Sequence, residues 1–136
     1  MDSRYKFLII RFSSIGDIIL TTPLIRCLRA TFPNAQIDFL VKKEFAVVLS
    51  GNPHISNIIT FDKADSRNQL RRIRMQVQLT RYSMILDIQK NIRSMMIGVG
   101  SRTGIAGFSK KLMARDLLIR FKINIYKEIK PVYLRY

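Results

Sequence analysis

Small and polar residues that could support catalysis follow the first apolar run of the chain. The run Lys6–Phe12 is followed at once by Ser13, Ser14, Gly16 and Asp17. A turn of such residues exposes backbone N–H groups near a helix N-terminus, which suits an anion or a developing negative charge. A carboxylate at the turn can also act as a general base toward a substrate hydroxyl. Asp17 has a second interpretation, since aspartate is among the preferred helix N-caps.

Several other kinds of site are absent from the sequence. It contains no G-x-G-x-x-G or G-x-x-x-x-G-K pattern, so the common nucleotide-binding motifs are absent. Cys27 is the single cysteine, which excludes an internal disulfide and a Cys-rich zinc site and fits a reducing compartment. No cluster of His and carboxylates has metal-ligand spacing, and His54 beside Pro53 is interpreted as a turn residue. We therefore expect no metal and no cofactor.

Composition and charge restrict the class of protein further. The 136 residues carry 24 Lys and Arg against 9 Asp and Glu, a net charge of +15, with 48% hydrophobic residues. That apolar content excludes a disordered basic tail, and the apolar runs are too short to span a membrane. An anionic glycolipid, an anionic membrane surface and nucleic acid could each match the basic excess. The densest basic stretch, opposed by the single acid Asp65, comprises Lys63, Arg67, Arg71, Arg72, Arg74 and Arg81.

The elements that must position these residues alternate along the chain. Apolar runs predict strands at Lys6–Phe12, Gln36–Val41, Asn57–Phe61 and Tyr82–Ile88, with a shorter strand or turn at Arg102–Gly107. Helices are predicted at Asp17–Thr31, Lys43–Ser50, Ala64–Thr80, Asn91–Val99, Lys110–Phe121 and Lys127–Tyr136. Pro23 predicts a kink or a restarted helix, with the proline in a first turn. The alternation predicts one α/β domain, a Rossmann-like parallel sheet flanked by helices.

Residues spread over most of the chain resemble a known family. The sequence resembles glycosyltransferase family 9, the lipopolysaccharide heptosyltransferases, which open with a hydrophobic strand, a Ser-Ser-x-Gly-Asp turn and a Thr-Pro helix. The resemblance continues at Asp38–Val41, at Phe45 and at Leu86–Ser94. The residues that match the family opening are Ser13, Ser14, Gly16, Asp17, Thr22, Pro23, Phe32 and Pro33.

This resemblance implies a domain organisation and a mechanism. Members of the family have the two-domain GT-B fold, in which the N-terminal domain binds the acceptor and the C-terminal domain binds the nucleotide-sugar. Residues 1–136 match the N-terminal half, so we expect a piece of a longer enzyme that is inactive alone. Asp17 matches the family's turn aspartate, the general base. It would deprotonate an acceptor hydroxyl that attacks the anomeric carbon of ADP-heptose with inversion.

The resemblance also assigns the neighbouring residues. Ser13, Ser14 and Gly16 would shape the turn near the donor's phosphates and reacting carbon. Lys63 and Arg67 follow the third predicted strand, where the family places basic acceptor contacts. Ligands of open parallel sheets bind at the carboxyl ends of the strands, and the polar residues after the fourth strand point to the same crevice. These further candidate acceptor contacts are Gln89, Asn91, Arg93 and Ser94.

The sequence therefore predicts transfer of heptose to the inner core of lipopolysaccharide. Its expected partners are that anionic glycolipid, the inner face of the cytoplasmic membrane and the chain's own C-terminal domain, with no specific nucleic acid. The expected location is cytoplasmic and peripheral to that membrane. Two alternatives stay open, a family 9 transferase with another sugar donor and a non-enzymatic basic α/β module that binds nucleic acid.

Overall fold

A parallel sheet of five strands forms the centre of the computed structural model, which describes residues 5–89, 91–98 and 105–107. Its strand order is β3-β2-β1-β4-β5, and every neighbouring pair is parallel. This confirms the predicted Rossmann-like α/β fold. The strands are β1 (Lys6–Ile10), β2 (Gln36–Lys42), β3 (Asn57–Phe61), β4 (Met84–Asp87) and β5 (Ile105–Gly107).

The strand order places a topological switch beside β1. The chain moves outward from β1 to β2 and β3, then returns to lay β4 on the other side of β1. In open α/β sheets the crevice at such a reversal, beyond the carboxyl ends of the strands, is the usual ligand site. The residues that follow β1 and β4 therefore share the most favourable edge of this sheet.

Within the described residues, five helices connect the strands. They are α1 (Ile15–Leu20), α2 (Thr22–Thr31), α3 (Ala46–Leu49), α4 (Ser66–Thr80) and α5 (Ile92–Gly98), with short 3-10 turns at Lys43–Phe45 and Lys63–Asp65. The predicted restart at Pro23 is confirmed, because α1 and α2 meet at Thr21 and Pro23 lies in the first turn of α2. None of the helices in the described ranges is long and apolar enough to cross a bilayer. The helices predicted at 110–121 and 127–136 lie outside the described residues.

The sheet has an apolar core on each face. Alternate residues of β1 face opposite layers, so Phe7 and Ile9 join one cluster while Leu8 and Ile10 join the other. Helices α1, α2 and α3 cover the first cluster, and α4 and α5 cover the second. Because both faces are covered, the near-continuous apolar run of β1 is what a buried parallel strand requires.

Two strands are shorter than predicted. β1 ends at Ile10 rather than Phe12, and β4 spans Met84–Asp87 rather than Tyr82–Ile88. The reason for the first difference is a change of hydrogen-bond partner. The Arg11 N–H still donates to the Leu40 carbonyl, but the Phe12 N–H donates to a side chain that follows β4.

A buried polar cluster joins β2, β3 and the segment before β4 at the opposite, amino-terminal edge. Asp38 in β2 is 2% exposed and accepts hydrogen bonds from the Tyr82 hydroxyl (2.6 Å), the Gln36 amide (2.7 Å) and the Asn57 amide (2.9 Å). Burial, together with the hydrogen bond to Asp38, raises the pKa of Tyr82 above its ordinary value, so the phenol stays a donor. Three donors satisfy a carboxyl group that would otherwise be costly to bury.

We expect Tyr82→Phe to lower the free energy of unfolding by about 1–3 kcal/mol, because the buried Asp38 carboxyl loses a hydrogen-bond donor. Urea denaturation measures the change. Thr60→Val, which removes an exposed hydroxyl of β3, is the control and should change stability by less than about 0.5 kcal/mol. Equal stability of the two variants would show that the Asp38 cluster does not depend on the phenol.

Candidate functional site

The turn after β1 places Asp17 in the first turn of α1. Ser14 occupies the N-cap position with extended backbone angles, and Asp17 is the third residue of the helix. The Ser14 hydroxyl donates to Asp17 Oδ2 at 2.9 Å and the Ser14 N–H lies 3.4 Å from the same oxygen. The interpretation of Asp17 as the N-cap itself is therefore wrong, because Ser14 takes that position.

Arg11 connects this carboxylate to the ends of both central strands. Its Nη2 lies 2.7 Å from Asp17 Oδ2, and its Nη1 donates to the Ile88 carbonyl at 2.9 Å, just beyond β4. The Arg11 side chain is only 18% exposed, and its Nε is buried with no hydrogen-bond partner among the residues that the structure describes. A guanidinium held at two points therefore fixes one oxygen of Asp17 relative to the sheet.

The two oxygens of Asp17 have different surroundings. All of the contacts described above involve Oδ2, and among the described residues Oδ1 has no recorded partner. The side chain is 48% exposed. Hydrogen bonds from Ser14, followed by the hydrogen bond and charge of Arg11, hold the pKa of Asp17 below its ordinary value. The carboxylate is therefore ionised at neutral pH, with one oxygen anchored and the other available to a ligand.

Gln89 ties the turn after β1 to the end of β4. Its side-chain oxygen accepts hydrogen bonds from the N–H groups of Phe12 (3.1 Å) and Ser13 (3.5 Å), and its own N–H donates to Asp87 Oδ1 at 3.1 Å. The structure thus brings Gln89 beside the Ser13–Asp17 turn, as the topology predicted. The contacts show it supporting the backbone of that turn.

Asn91 and Ser94 form the start of α5. The Asn91 side-chain oxygen accepts from the Ser94 N–H at 2.9 Å, and the Ser94 hydroxyl accepts from the Asn91 N–H at 3.0 Å. This reciprocal arrangement is the usual way to satisfy the free N–H groups of a helix start. Ser94 is 1% exposed, so its hydroxyl is not presented to solvent.

Arg93 and Lys63 lie near one aromatic ring at the end of β3. The Arg93 guanidinium carbon is 6.0 Å from the centroid of Phe61, which packs 5.3 Å from the ring of Phe12. Phe61 and Lys63 also line a hollow of about 440 Å³ beyond the ends of β2 and β3. The hollow is lined by Lys42, Lys43, Glu44, Phe61, Asp62 and Lys63.

Two other predicted residues are exposed. Arg67 is the second residue of α4 and is exposed there. Gly16 is exposed in α1, and a Cβ added there would meet nothing within 4 Å. Packing therefore does not require glycine at position 16. Helix propensity does not explain it either, because glycine is a poor helix former.

Sequence reasoning missed Arg11 as the partner of Asp17, and it missed Phe61. A signal for Arg11 was present in the sequence. An arginine within an apolar run, six residues before the aspartate, needs an anionic or carbonyl partner when it is buried. Phe61 gave no such signal, since its contact with Arg93 depends on the packing of distant segments of the chain.

Known proteins are similar to this chain in sequence and in fold. Lipopolysaccharide heptosyltransferase 1 of Campylobacter coli is 27% identical over 137 residues, covering 96% of this chain and 39% of the relative. Lipopolysaccharide heptosyltransferase 3 of Escherichia coli K12 is 32% identical over 81 residues, covering 54% and 23%. The chain is similar to part of a lipopolysaccharide heptosyltransferase. No family model matches this heptosyltransferase-like chain.

Solved structures agree on the fold. A glycosyl transferase family 9 protein from Veillonella parvula superposes with a TM-score of 0.69 at 21% identity, covering 85% of this chain and 35% of that protein. The Escherichia coli heptosyltransferase WaaC with ADP gives 0.62 at 21% identity, covering 76% and 34%. The heptosyltransferase-like chain spans about two fifths of the length of the two curated relatives that match nearly all of it.

We expect Arg11→Met to raise the pKa of Asp17 toward its ordinary value, because the variant removes a hydrogen bond and a positive charge from Oδ2. Ser14→Ala should raise it as well, since the Ser14 hydroxyl has the largest effect. Carboxyl ¹³C NMR shifts of Asp17, followed as a function of pH, measure both changes.

Arg26→Met is the matched control, because Arg26 is an exposed residue of α2 and should leave the titration of Asp17 unchanged. A depressed pKa stabilises the fold above the unfolded-state pKa, and this stabilisation disappears as pH falls through the folded-state pKa. Arg11→Met should therefore weaken the acid dependence of stability. Identical titrations in Arg11→Met and the native chain would contradict the ion pair.

Proposed function

We propose that this chain is the acceptor-binding, N-terminal domain of a family 9 glycosyltransferase that transfers heptose from ADP-heptose to the inner core of lipopolysaccharide. The observation that carries the proposal is the Asp17 carboxylate at the switch point of a heptosyltransferase-like fold, with one oxygen anchored and the other open. Similarity to the heptosyltransferases supports the transferase class over a nucleic-acid-binding module.

Asp17 would act as the general base of an inverting displacement. Its Oδ1 accepts the proton of an acceptor hydroxyl while that oxygen forms a bond to the anomeric carbon of the heptose. The bond from that carbon to the diphosphate oxygen breaks, and ADP leaves with the electron pair. Because the acceptor oxygen becomes acidic as its new bond forms, a carboxylate of low pKa can take the proton at that stage.

Arg11 and Gln89 would position this base. Arg11 holds Oδ2, which leaves Oδ1 as the free acceptor of a proton. Gln89 holds the backbone of the preceding residues, Phe12 and Ser13, through its side-chain oxygen. We therefore propose that Gln89 supports the turn, a different role from the acceptor contact that the sequence predicted.

The acceptor would bind beside Phe61. Lys63 and Arg93 present two cations near this ring, and the anionic groups of an inner-core glycolipid suit such cations. Arg67 extends the basic surface from the start of α4. Asn91 and Ser94 would act indirectly, by starting α5 at the position that brings Arg93 to Phe61.

The donor would approach the turn from the side of Ser13, Ser14 and Gly16. Gly16 supports this assignment. Glycine is a poor helix former, and the open space beside it shows that packing does not require glycine at this position. The nucleotide-sugar itself would be held by a C-terminal domain of the longer protein, and inactivity of the 136-residue chain alone stays a prediction.

Asp17→Asn in the full-length protein should lower the transfer rate by at least about 100-fold, because positioned acid–base catalysis typically contributes 10²–10⁴-fold. Release of ADP from ADP-heptose in the presence of the inner-core acceptor measures the rate. Asp65→Asn, at an exposed acid before α4, is the control and should transfer normally. Near-normal turnover by a folded Asp17→Asn variant would remove Asp17 from the role of base.

Lys63→Gln and Arg67→Gln should each weaken binding of the lipopolysaccharide core several-fold, because each removes one cation from the acceptor side. Titration of the 136-residue chain with core oligosaccharide at moderate salt measures this without a donor. Arg26→Gln is the matched control on the other face of the sheet. Stronger binding of duplex DNA than of the core at the same salt would favour the nucleic-acid-binding alternative instead.

A further inference from the structure

The outer face of α4 combines exposed apolar and basic side chains. The buried residues Ile73 and Val77 fix which side of the helix faces the core. On the side turned away from the core, Met75 is 54% exposed and Leu79 is 79% exposed. An ordinary surface helix carries polar residues on that side, and neither of these two apolar side chains belongs to a core cluster of the described residues.

Cations flank the two apolar side chains. Arg71 and Arg72 are exposed, and the helical spacing of three and four residues makes both of them neighbours of Met75. The sequence of α4 contains four arginines and no acidic residue. The outer face of α4, defined here as Arg71, Arg72, Met75 and Leu79, is therefore both apolar and strongly cationic.

A hollow of about 500 Å³ lies along the same face. Its lining includes Met75 and Leu79 together with Arg72 and, from the start of β1, Lys6. The Lys6 ammonium donates to the Thr80 carbonyl at 3.4 Å, which holds it beside the end of α4. Two cations next to exposed apolar side chains match an amphiphile that has an anionic head and an apolar chain.

We propose that the outer face of α4 binds the surface of an anionic phospholipid bilayer. Arg71, Arg72 and Lys6 would contact headgroup phosphates, while Met75 and Leu79 would enter the boundary between headgroups and acyl chains. Nucleic acid is the less suitable polyanion, because phosphates attract the arginines but reward no burial of Met75 or Leu79.

The direction of α4 relates this face to the proposed acceptor site. The helix begins just after Lys63–Asp65, at the carboxyl edge of the sheet, and ends at Thr80, shortly before β4 starts at the opposite edge. A bilayer along α4 would therefore lie next to the edge that carries Lys63 and Arg67. The binding proposal itself stands without the transferase proposal, because it concerns lipid contact alone.

The test uses sedimentation of the 136-residue chain with vesicles at physiological ionic strength. One set of vesicles contains phosphatidylglycerol in phosphatidylcholine, and the other contains phosphatidylcholine alone. We expect binding to the anionic set and little to the neutral set. Basic residues elsewhere also attract anionic vesicles, so matched single variants identify the face that makes contact.

Arg72→Gln should weaken binding to anionic vesicles about fivefold, the usual effect of one basic residue at a membrane surface. Arg26→Gln is its control, because Arg26 is exposed on the opposite face of the sheet. Leu79→Ser should weaken binding roughly tenfold by removing buried apolar area. Val47→Ser is its control, at a residue of α3 that is 73% exposed.

Fluorescence gives a second measurement at the same positions. A polarity-sensitive dye on Leu79→Cys should shift to the blue when anionic vesicles are added, while the same dye on Val47→Cys should not. Cys27→Ala removes the native thiol, which is buried, from both proteins. Circular dichroism verifies that each variant is folded.

Three results would overturn the proposal. In the first, Leu79→Ser binds anionic vesicles as tightly as the native chain and the dye at position 79 does not shift. In the second, neutral vesicles bind as well as anionic ones. In the third, the native chain prefers duplex DNA to anionic vesicles at equal salt, and Arg72→Gln weakens only the binding of DNA.

Discussion

The Arg11 guanidinium joins the ends of the two central strands to the Asp17 carboxylate. It bonds to the Ile88 carbonyl beyond β4 and to Asp17 Oδ2 in α1, and it extends from the end of β1 itself. Within the described part of the chain its Nε is buried without a hydrogen-bond partner, and an unsatisfied buried donor has a cost in stability. The arrangement requires β4 to pair with β1 in parallel, because the chain segments that follow these two strands then meet.

The two edges of the sheet use carboxyl groups differently. At the amino-terminal edge, Asp38 receives three hydrogen bonds from Gln36, Asn57 and Tyr82, which join β2 to β3 and to the segment before β4. At the carboxyl edge, Asp17 is only partly satisfied and half exposed. A fully satisfied carboxyl group stabilises the fold, whereas one with a free oxygen can take part in chemistry.

The sequence predicted the elements better than the contacts. β3 has the predicted limits, and the restart at Pro23 is where the missing proline N–H and the ring require it. Strands β1 and β4 were predicted too long. An apolar residue just outside the hydrogen-bonded part of a strand looks the same in sequence as one within it. Phe12 is buried in a core although its N–H has left the sheet for the Gln89 side chain.

The sequence by itself determined the α/β class and the turn that follows the first strand. Apolar periodicity and turn residues are local properties, and Ser13–Asp17 stands out through residue type and spacing alone. Only the tertiary structure decided what these residues touch. It paired Asp17 with Arg11, turned Gln89 to the backbone after β1, and buried Ser94 in the start of α5. Such contacts join residues up to 77 positions apart, and their geometry exists only once the parallel strands have been aligned side by side.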